Sequence, residues 1–305
     1  MTSTAAVADK IKRLKERRNA LILAHNYQLP EVQDAADFCG DSLGLSRKAA
    51  QADADVIVFC GVFFMAETAS ILCPNKRVLI PEPAAGCPMA NMITADQLKP
   101  LKARHPGAAV VCYVNSTADV KAECDLCCTS ANAAEIVSSV EPGRPIIFVP
   151  DKYLGAWTAS RTGRNLILWE GYCPTHAAIT PEHIQAARRE HPGAVVMAHP
   201  ECIPAVTQAA DAVRSTSGML RFARESDARE FIVATEIGLL YPLRKENPDK
   251  RFYPATTAAS CANMKRTTLE KVLWCLEDMR NEVRVDEEVR RRALAALNAM
   301  VAARK

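Results

Sequence analysis

A threefold internal repeat is the feature of this sequence that most limits its possible folds. The tetrapeptide HPGA stands at 105–108 and again at 191–194, 86 residues later, and each copy precedes a short apolar run. A fainter third copy lies upstream, with Ala8 aligned to Ala95, 87 residues apart. Self-similarity at a fixed period marks repeated structural units. The chain is therefore expected to contain three similar units, and their length excludes a solenoid of small repeats.

Each repeat contains three short apolar runs that alternate with helical patterns. The runs fall into three sets, which are 21–25, 110–114 and 195–199, then 56–60, 146–150 and 231–235, then 78–81, 166–170 and 251–254. Such runs, bounded by polar or turn residues, are typical of parallel strands that are covered on both faces. Helix starts recur at Thr94, Thr180 and Thr267, and Gln97 and Glu270 complete the pattern of a capping box. Each unit is thus predicted to read helix–strand–helix–strand–helix–strand.

The predicted fold class is α/β, with three similar αβα domains whose small parallel sheets are arranged about a pseudo-threefold axis. The predicted boundaries are 1–93, 94–180 and 181–267 for the three repeats, and 268–305 supplies closing C-terminal helices. A chain of 305 residues is long enough for three such units, each with its own core.

Charge and hydrophobicity narrow the possible functions. The formal net charge is +3 and the basic residues are scattered, which argues against nucleic acid as a partner. No apolar run approaches the roughly 20 residues of a membrane span. The first twenty residues lack the apolar segment of a signal peptide. We therefore expect a cytoplasmic protein with no membrane association.

One cysteine follows the third apolar run of every repeat. These are Cys87, Cys173 and Cys261, at spacings of 86 and 88 residues. Any single cysteine is ordinarily a small buried hydrophobe, but equivalent places in three repeats would bring three thiolates to one point. Thiolates are ligands for zinc or iron–sulfur clusters, and a [4Fe–4S] cluster held by three cysteines leaves one iron open as a Lewis acid. Structural zinc usually takes four ligands with close CxxC pairs, which these positions lack.

Other cysteines of the twelve admit different interpretations. Cys60 and Cys112 lie within apolar runs and are interpreted as buried hydrophobes. Cys124, Cys127 and Cys128 include a CxxC pair, but the chain has no second pair with which to build a zinc ribbon. A redox or regulatory disulfide in that segment remains an alternative to incidental thiols.

Polar residues recur where the first run of each repeat ends. They are His25, Asn26 and Tyr27, then Tyr113, Asn115 and Ser116, then His199 and Glu201. Ligands of α/β sheets bind at the carboxyl ends of strands, and a histidine, a tyrosine and a carboxylate together can move protons. Serines also recur at loop-to-helix turns, at 42, 130 and 215. These serines can act as helix caps, and they can also present hydroxyls beside free helix N–H groups. The second arrangement suits a substrate with carboxylates or a phosphate.

The same segments resemble a known family. The matching motifs, spread from about residue 10 to 275, are LILAHNYQLPEVQDAADFCGDSLGLS, GCPMANMI, YVNSTADVKAECD, CTSAN, CPTH, AHPEC, RSTSG, ATEIG and CANMK. Together they resemble the quinolinate synthase family. The resemblance implies three α/β domains about a pseudo-threefold axis with a [4Fe–4S] cluster at the centre, held by three cysteines and leaving one iron open.

The resemblance also implies a reaction and its participants. The family is a transferase of NAD (pyridine nucleotide) biosynthesis that condenses iminoaspartate with dihydroxyacetone phosphate to quinolinate, phosphate and water. An aspartate oxidase or dehydrogenase would supply the iminoaspartate. Both substrates are small anions, which suits a mildly basic chain with hydroxyls at helix starts.

Roles carry over by resemblance to individual residues. The implied cluster ligands are Cys87, Cys173 and Cys261. The implied catalytic residues are Tyr27 and Glu201 as the acid–base pair, with Glu201 as the base, and His25. The implied substrate-binding residues are His25, Ser42, Tyr113, Asn115, Ser130, His199, Ser215 and Thr216. Some members carry CxxCxxC at the third ligand, whereas this chain reads Cys261-Ala-Asn-Met264, so no disulfide switch is expected there.

Two other functions compete with this expectation. A hydro-lyase with the same open iron would act on a hydroxy acid and would not form quinolinate. A ligand-binding protein with structural zinc on the three thiolates would be colourless and stable in air. His176 lies three residues beyond Cys173, and it is interpreted as structural or as a neighbour of the ligands rather than as a fourth ligand.

Overall fold

The computed structural model describes residues 4–302; the ends of the predicted first and closing segments, 1–3 and 303–305, lie outside the described residues. The described chain contains three four-stranded sheets in which every pairing between strands is parallel. The predicted α/β class with three similar units is therefore confirmed. The predicted domain boundaries stay a prediction.

The elements of the first repeat alternate between helix and strand. They are α1 (Thr4–Arg17), β1 (Ala20–His25), α2 (Pro30–Ala35), β2 (Phe38–Gly40), α3 (Ser42–Gln51), β3 (Val56–Cys60), α4 (Phe63–Leu72) and β4 (Arg77–Leu79). The strand order in this sheet is β2-β1-β3-β4.

The second and third repeats follow the same plan. The second has α5 (Ala95–Arg104), β5 (Ala109–Tyr113), α6 (Ala118–Ala122), β6 (Leu126–Cys128), α7 (Ala133–Ser139), β7 (Ile146–Val149), α8 (Lys152–Thr162) and β8 (Leu166–Leu168). Helix α9 (Pro174–Ala177) ends the second repeat. The third has α10 (Pro181–Glu190), β9 (Val195–Ala198), α11 (Pro204–Ala209), β10 (Ala212–Val213), α12 (Thr216–Glu225), β11 (Glu230–Ala234), α13 (Leu240–Glu246) and β12 (Arg251–Pro254). Their strand orders, β6-β5-β7-β8 and β10-β9-β11-β12, match that of the first sheet.

The sequence prediction missed one strand in every sheet. The second strand of each repeat has two or three residues and does not belong to any of the predicted apolar runs. An aspartate precedes each of these strands and ties it to its neighbour. Asp37, Asp125 and Asp211 accept hydrogen bonds from the backbone N–H of Ile22 (2.8 Å), Val110 (2.7 Å) and Val196 (2.8 Å). These aspartates, 88 and 86 residues apart, are the repeat signal that marks the missing strands.

Helix capping agrees with the predicted starts in two repeats and differs in the third. Thr94 and Thr180 cap α5 and α10. The helix predicted to start at Thr267 is α14 (Leu269–Asp278). It is capped by Thr268, which accepts a hydrogen bond from the backbone N–H of Lys271, so the predicted start is wrong by one residue. Thr267 is instead fully buried.

The closing helices pack on two of the repeats. Helix α14 joins α1 on one face of the first sheet, where Leu273 and Ile11 belong to one apolar cluster. Helix α15 (Glu287–Ala302) packs against α4 and α6, and its Leu297 and Met300 are fully buried. Within the described residues, no helix is long and apolar enough to cross a membrane.

Candidate active site

The loops after the strands of all three repeats meet around a central cavity of ≈ 210 Å³. The parallel pairing directs the carboxyl ends of the strands in each sheet to one edge, which places their following loops together. The predicted site residues that line the cavity are His25, Tyr27, Ser42, Cys87, Tyr113, Asn115, Ser130, Cys173, His199, Glu201, Thr216 and Cys261. Ser215 does not line it, because its hydroxyl caps α12 and donates to Asp41 Oδ2 at 3.2 Å.

The three repeat-equivalent cysteines reach the cavity from separate loops. Cys87 follows β4, Cys173 precedes α9 and Cys261 follows β12, and all three are free thiols with intermediate exposure. Burial raises the pKa of Cys87 to about 12, and it also raises the pKa of Cys173 and of Cys261. Without a bound cation these thiols stay protonated at neutral pH. A metal that binds as a thiolate complex would displace those protons.

The distances between donor atoms distinguish a site for an iron–sulfur cluster from a site for a single metal ion. Among the described residues, the one group of three Cys, His or acidic donors within 4.8 Å of one another is Cys173, His176 and Glu201. At least one pair of the three cysteine sulfurs is therefore more than 4.8 Å apart, which exceeds the about 3.8 Å between sulfurs on one tetrahedral zinc ion. This spread fits a larger iron–sulfur group better than a single zinc ion.

His176 is the residue whose part in the site the sequence analysis underestimated. It is buried, and its Nδ1 lies 2.6 Å from Glu201 Oε2 and 3.2 Å from Cys173 Sγ. Its Nε2 lies 2.8 Å from Thr235 Oγ1. The ring therefore joins a cysteine loop to the polar residues of the third repeat. The CPTH spacing placed it one helical turn beyond Cys173, but only the fold brings Glu201 and Thr235 to it.

Glu201 is a buried carboxylate with several hydrogen-bonding partners. The hydroxyl of Tyr113 donates to Oε1, and His199 Nδ1 lies 3.7 Å from Oε2. Burial alone would raise the pKa of Glu201, but the imidazoles of His176 and His199 and the bonds from His176 and Tyr113 lower it to about 2. Glu201 is thus ionised at neutral pH and can accept a proton.

Tyr27 also lines the cavity, as a protonated phenol, and His176 contacts both it and that carboxylate. Its hydroxyl is 2.6 Å from Thr235 Oγ1 and 3.3 Å from His176 Nε2. Burial, followed by the charge of Glu201, raises the pKa of Tyr27 well above its ordinary value. Tyr27 is therefore able to donate a proton or a hydrogen bond at neutral pH.

Two histidines at equivalent strand ends present the same ring nitrogen to the cavity. His25 Nδ1 accepts the backbone N–H of Tyr27 at 3.2 Å, and His199 Nδ1 accepts the backbone N–H of Glu201 at 3.3 Å. Burial lowers the pKa of each imidazole to about 3. Both rings are therefore neutral, and because Nδ1 is an acceptor, Nε2 carries the proton. The pair offers N–H donors suited to an oxygen-rich ligand.

The hydroxyl residues stand at or near helix starts, although the caps differ from those expected. Asp41, not Ser42, caps α3, and Ser42 is the first helical residue. Ser130 lies two residues before Asn132, the residue at the start of α7. Thr216 is the first residue of α12, and its Oγ1 accepts a hydrogen bond from Asn26 Nδ2 at 2.9 Å.

Several residues that line the cavity were not anticipated. They are Asp41, Val62, Phe64, Met65, Gly86, Pro88, Met89, Pro174, Thr175, His176, Glu236, Ala262, Asn263 and Met264. The apolar members come mostly from the loops beside the cysteines and from α4. They add apolar surface to a cavity whose other lining residues are polar.

Comparison with known proteins agrees with this geometry. The family described as quinolinate synthetase A protein matches residues 9–302. The chain is 58% identical over 295 residues to a quinolinate synthase of Dehalococcoides mccartyi, covering 97% of each chain. It is 53% identical to one of Methanoregula boonei over 302 residues, which is 99% of this chain and 100% of the relative. A quinolinate synthase of Thermus thermophilus is 54% identical over 301 residues, 97% of each chain. The chain therefore belongs to the quinolinate synthase family.

Proposed function

We propose that this chain condenses iminoaspartate with dihydroxyacetone phosphate to form quinolinate, phosphate and two waters, using a [4Fe–4S] cluster held by Cys87, Cys173 and Cys261. The observation that carries the proposal is the meeting of three repeat-equivalent thiols with a buried carboxylate and a phenol in one cavity. Family membership over residues 9–302 supports it. The reaction belongs to NAD biosynthesis, and an aspartate oxidase or dehydrogenase would supply the iminoaspartate.

The donor set suits an iron–sulfur cluster. Three soft thiolates come from separate repeats, and the spread of their sulfurs exceeds that of a single-ion site. When bound, a cluster with only three cysteine ligands supplies an iron with an open position, which acts as a Lewis acid on a substrate oxygen. Cys87, Cys173 and Cys261 would hold it at the wall of the cavity that they line.

The polar residues that line the cavity are suited to hold the two anionic substrates. Ser42, Ser130 and Thr216 present hydroxyls near helix starts, where backbone N–H groups favour phosphate and carboxylate. Asn115 and the Nε2–H groups of His25 and His199 add neutral donors. Ser215 takes part indirectly, because it caps α12 and so fixes the position of Thr216.

Two titratable groups that line the cavity, Glu201 and Tyr27, would move protons. Glu201 is ionised and would take protons from the carbon or nitrogen atoms of the bound substrates. Tyr27 is protonated and would give a proton to a departing hydroxyl, with Thr235 orienting its O–H group. His25 packs edge-on against Tyr27, with ring centroids 4.6 Å apart, and thereby restricts its orientation.

The function is tested on protein purified without oxygen. Iminoaspartate generated in the assay and dihydroxyacetone phosphate are added, and quinolinate is measured by chromatography. The proposal predicts quinolinate and phosphate in equal amounts. An iron-containing protein that dehydrates a hydroxy acid and makes no quinolinate would instead be a hydro-lyase. A colourless protein with about one zinc per chain would be a binding protein, and the proposed function would be withdrawn.

A further inference from the structure

The three cysteine loops are attached to their sheets by the same backbone hydrogen bond. In each repeat, the donor is the backbone N–H three residues after the end of β3, β7 or β11. The acceptor is the backbone carbonyl two residues before the repeat's cysteine. The pairs are Phe63 to Ala85 (2.8 Å), Lys152 to Gly171 (2.8 Å) and Ile237 to Ala259 (2.9 Å). The residue before each donor differs between repeats. It is the apolar Val62 in the first and an acid, Asp151 or Glu236, in the other two.

Glu236 makes close contacts with the third cysteine loop. The side chain is 1% exposed, and its Oε1 accepts a hydrogen bond from the backbone N–H of Cys261 at 3.0 Å. Its Oε2 accepts the backbone N–H of Gly238 at 2.7 Å. Lys265 Nζ lies 3.0 Å from Oε1 and 3.2 Å from Oε2. A buried carboxylate with these four contacts is fully satisfied, so it holds one defined geometry.

Lys265 extends this contact from the third repeat to the first. Its ammonium group also donates to the backbone carbonyl of Tyr27. The space around it is filled, since a Cβ on Gly238 would lie 2.6 Å from Lys265 Nζ, 2.7 Å from Tyr27 O and 2.8 Å from Glu236 Oε2. Only glycine fits there without displacing these groups. The loop of Cys261 and the loop of Tyr27 are thus joined through a single ion pair.

Asp151 occupies the equivalent place in the second repeat. The side chain is 0% exposed, and its Oδ1 caps α8 by accepting the N–H groups of Tyr153 (2.8 Å) and Leu154 (2.9 Å). Asp151 also pairs with Gly171, two residues before Cys173. Its Oδ2 makes no hydrogen bond, and burial, followed by the charge of Glu201, raises the pKa of this carboxyl well above its ordinary value. Asp151 therefore lies next to the Cys173 loop, as Glu236 lies next to the Cys261 loop.

We propose that Glu236 is a positioning residue for Cys261, that Asp151 is its counterpart for Cys173, and that Lys265 couples the Cys261 loop to the loop of Tyr27. The inference rests on the proposed function, because it concerns how two of the cluster ligands are held. Groups that orient metal ligands are typically worth 10–100-fold in metal affinity. The first repeat holds Cys87 without an acid at this place, so the effect is specific to the other two ligands.

The test measures iron release from anaerobic, cluster-containing protein after addition of EDTA. In Glu236→Gln one of the two backbone N–H groups, that of Cys261 or that of Gly238, faces an amide NH2 instead of an oxygen, so the Cys261 loop is held less firmly and iron release is expected to accelerate about 10-fold. Asp151→Asn is expected to accelerate it as well. Asp34→Asn is the matched control. Asp34, in the first repeat, also pairs with a lysine of the third repeat, Lys245 at 2.5 Å, but it contacts no cysteine loop. Its release rate should equal that of the wild type.

Lys265→Met separates the two parts of the proposal. It leaves the N–H groups of Cys261 and Gly238 bonded to Glu236, so the rate of iron release should stay at the wild-type value while kcat falls. Unfolding temperatures of the cluster-free proteins distinguish positioning from general stability, since release caused by general destabilisation would follow the unfolding temperature in every variant. Asp34→Asn, at an exposed ion pair, should keep the wild-type unfolding temperature.

Three outcomes are decisive. Wild-type rates of iron release in both Glu236→Gln and Asp151→Asn would overturn the positioning role. Unchanged kcat in Lys265→Met would overturn the coupling to Tyr27. A wild-type protein that takes up no iron at all would contradict the proposed function itself.

Discussion

At the scale of single residues, the site depends on burial and on partners that set opposite protonation states in two groups, both of which contact His176. Glu201 and Tyr27 are both enclosed by protein, yet the carboxylate is ionised and the phenol is protonated. The difference follows from their partners. Glu201 receives hydrogen bonds from His176 and Tyr113, whereas Tyr27 is held by Thr235, a neutral hydroxyl. A base and an acid can therefore operate at the same pH.

Replacing the base tests this assignment. Glu201→Gln keeps the size of the side chain but cannot accept a proton, so kcat is expected to fall by about 10²–10⁴ with little change in iron content. Quinolinate formation and iron are measured on the same sample. Glu170→Gln, at an acid whose side chain is 84% exposed, serves as the control and should keep full activity. Wild-type kcat in Glu201→Gln would show that another group is the base.

The two neutral histidines make stability depend on pH. His25 and His199 have a pKa of about 3 in the fold, against 6.5 in an unfolded chain. Between these values only the unfolded chain binds the two protons, so acidification favours unfolding. The free energy of unfolding should fall by up to about 1.4 kcal/mol per pH unit for each histidine below pH 6.5, and the contribution should vanish above it.

Denaturant unfolding of cluster-free protein at pH 7.5, 6.5 and 5.5 measures this dependence. His25→Gln removes one of the two groups and should reduce the slope below pH 6.5. A free energy of unfolding that stays constant from pH 7.5 to 5.5 would mean that the histidines are not buried as neutral rings.

Sequence reasoning found the residues that the repeat places at equivalent positions, and it missed those that need the fold. Cys87, Cys173 and Cys261 stand out because 86 and 88 residues separate them. Thr235 carries no such signal, since its partner Tyr27 is in another repeat. Glu236 has an acid only at the equivalent place of the second repeat, Asp151, and its bond to the N–H of Cys261, 25 residues on, is set by the fold. Roles that arise from contact between repeats cannot be read from spacing.

At the scale of elements, the unit of construction is a four-stranded sheet in which the second strand along the chain is held by an aspartate. The other three strands of each sheet were predictable because they belong to continuous apolar runs. The second strands, with two or three residues, lie at a sheet edge and pair with one neighbour only. Their position depends on the hydrogen bonds of Asp37, Asp125 and Asp211 to the first strand of the repeat. A pattern search for apolar runs does not detect this kind of element.

Replacing Asp125 tests whether its hydrogen bond to Val110 N–H holds β6 in place. Asp125→Asn weakens the charge-assisted bond to Val110 N–H and should lower the free energy of unfolding by about 1–3 kcal/mol. Denaturant unfolding measures the change, and Asp227→Asn, at an exposed loop residue, should leave it unaltered. Equal stability of Asp125→Asn and the wild type would show that β6 is held by strand pairing alone.

At the scale of the whole molecule, three sheets are held around one cavity by helices that cross between repeats. Helix α15 is the clearest case, because it follows the third repeat in sequence but packs on α4 and α6. Asn132 Nδ2 donates to the carbonyl of Met300 at 3.1 Å, and Arg292 pairs with Glu123. The sequence predicted closing helices at 268–305 but not the repeats on which they pack. Amphipathic periodicity shows that a helix has an apolar face, not which surface covers it.

Leu297 tests the importance of this closing helix. Leu297→Ala leaves a cavity between α15 and the repeats it covers, so the free energy of unfolding should fall by about 2–5 kcal/mol. Asn298→Ala, at the next and exposed position, is the control and should change it little. Equal stabilities of the two variants would mean that α15 is not part of the cooperative fold.

The most direct test of the account is the iron and sulfide content of protein purified without oxygen, for the wild type, Cys87→Ala and Cys60→Ala. Cys60 is fully buried in β3 and lines no part of the cavity, so it controls for loss of a cysteine as such. The account predicts about four irons and four sulfides per chain in the wild type and in Cys60→Ala, and loss of most of them in Cys87→Ala. A wild type that binds about one zinc and no sulfide, or a Cys87→Ala that keeps all its iron, would contradict it.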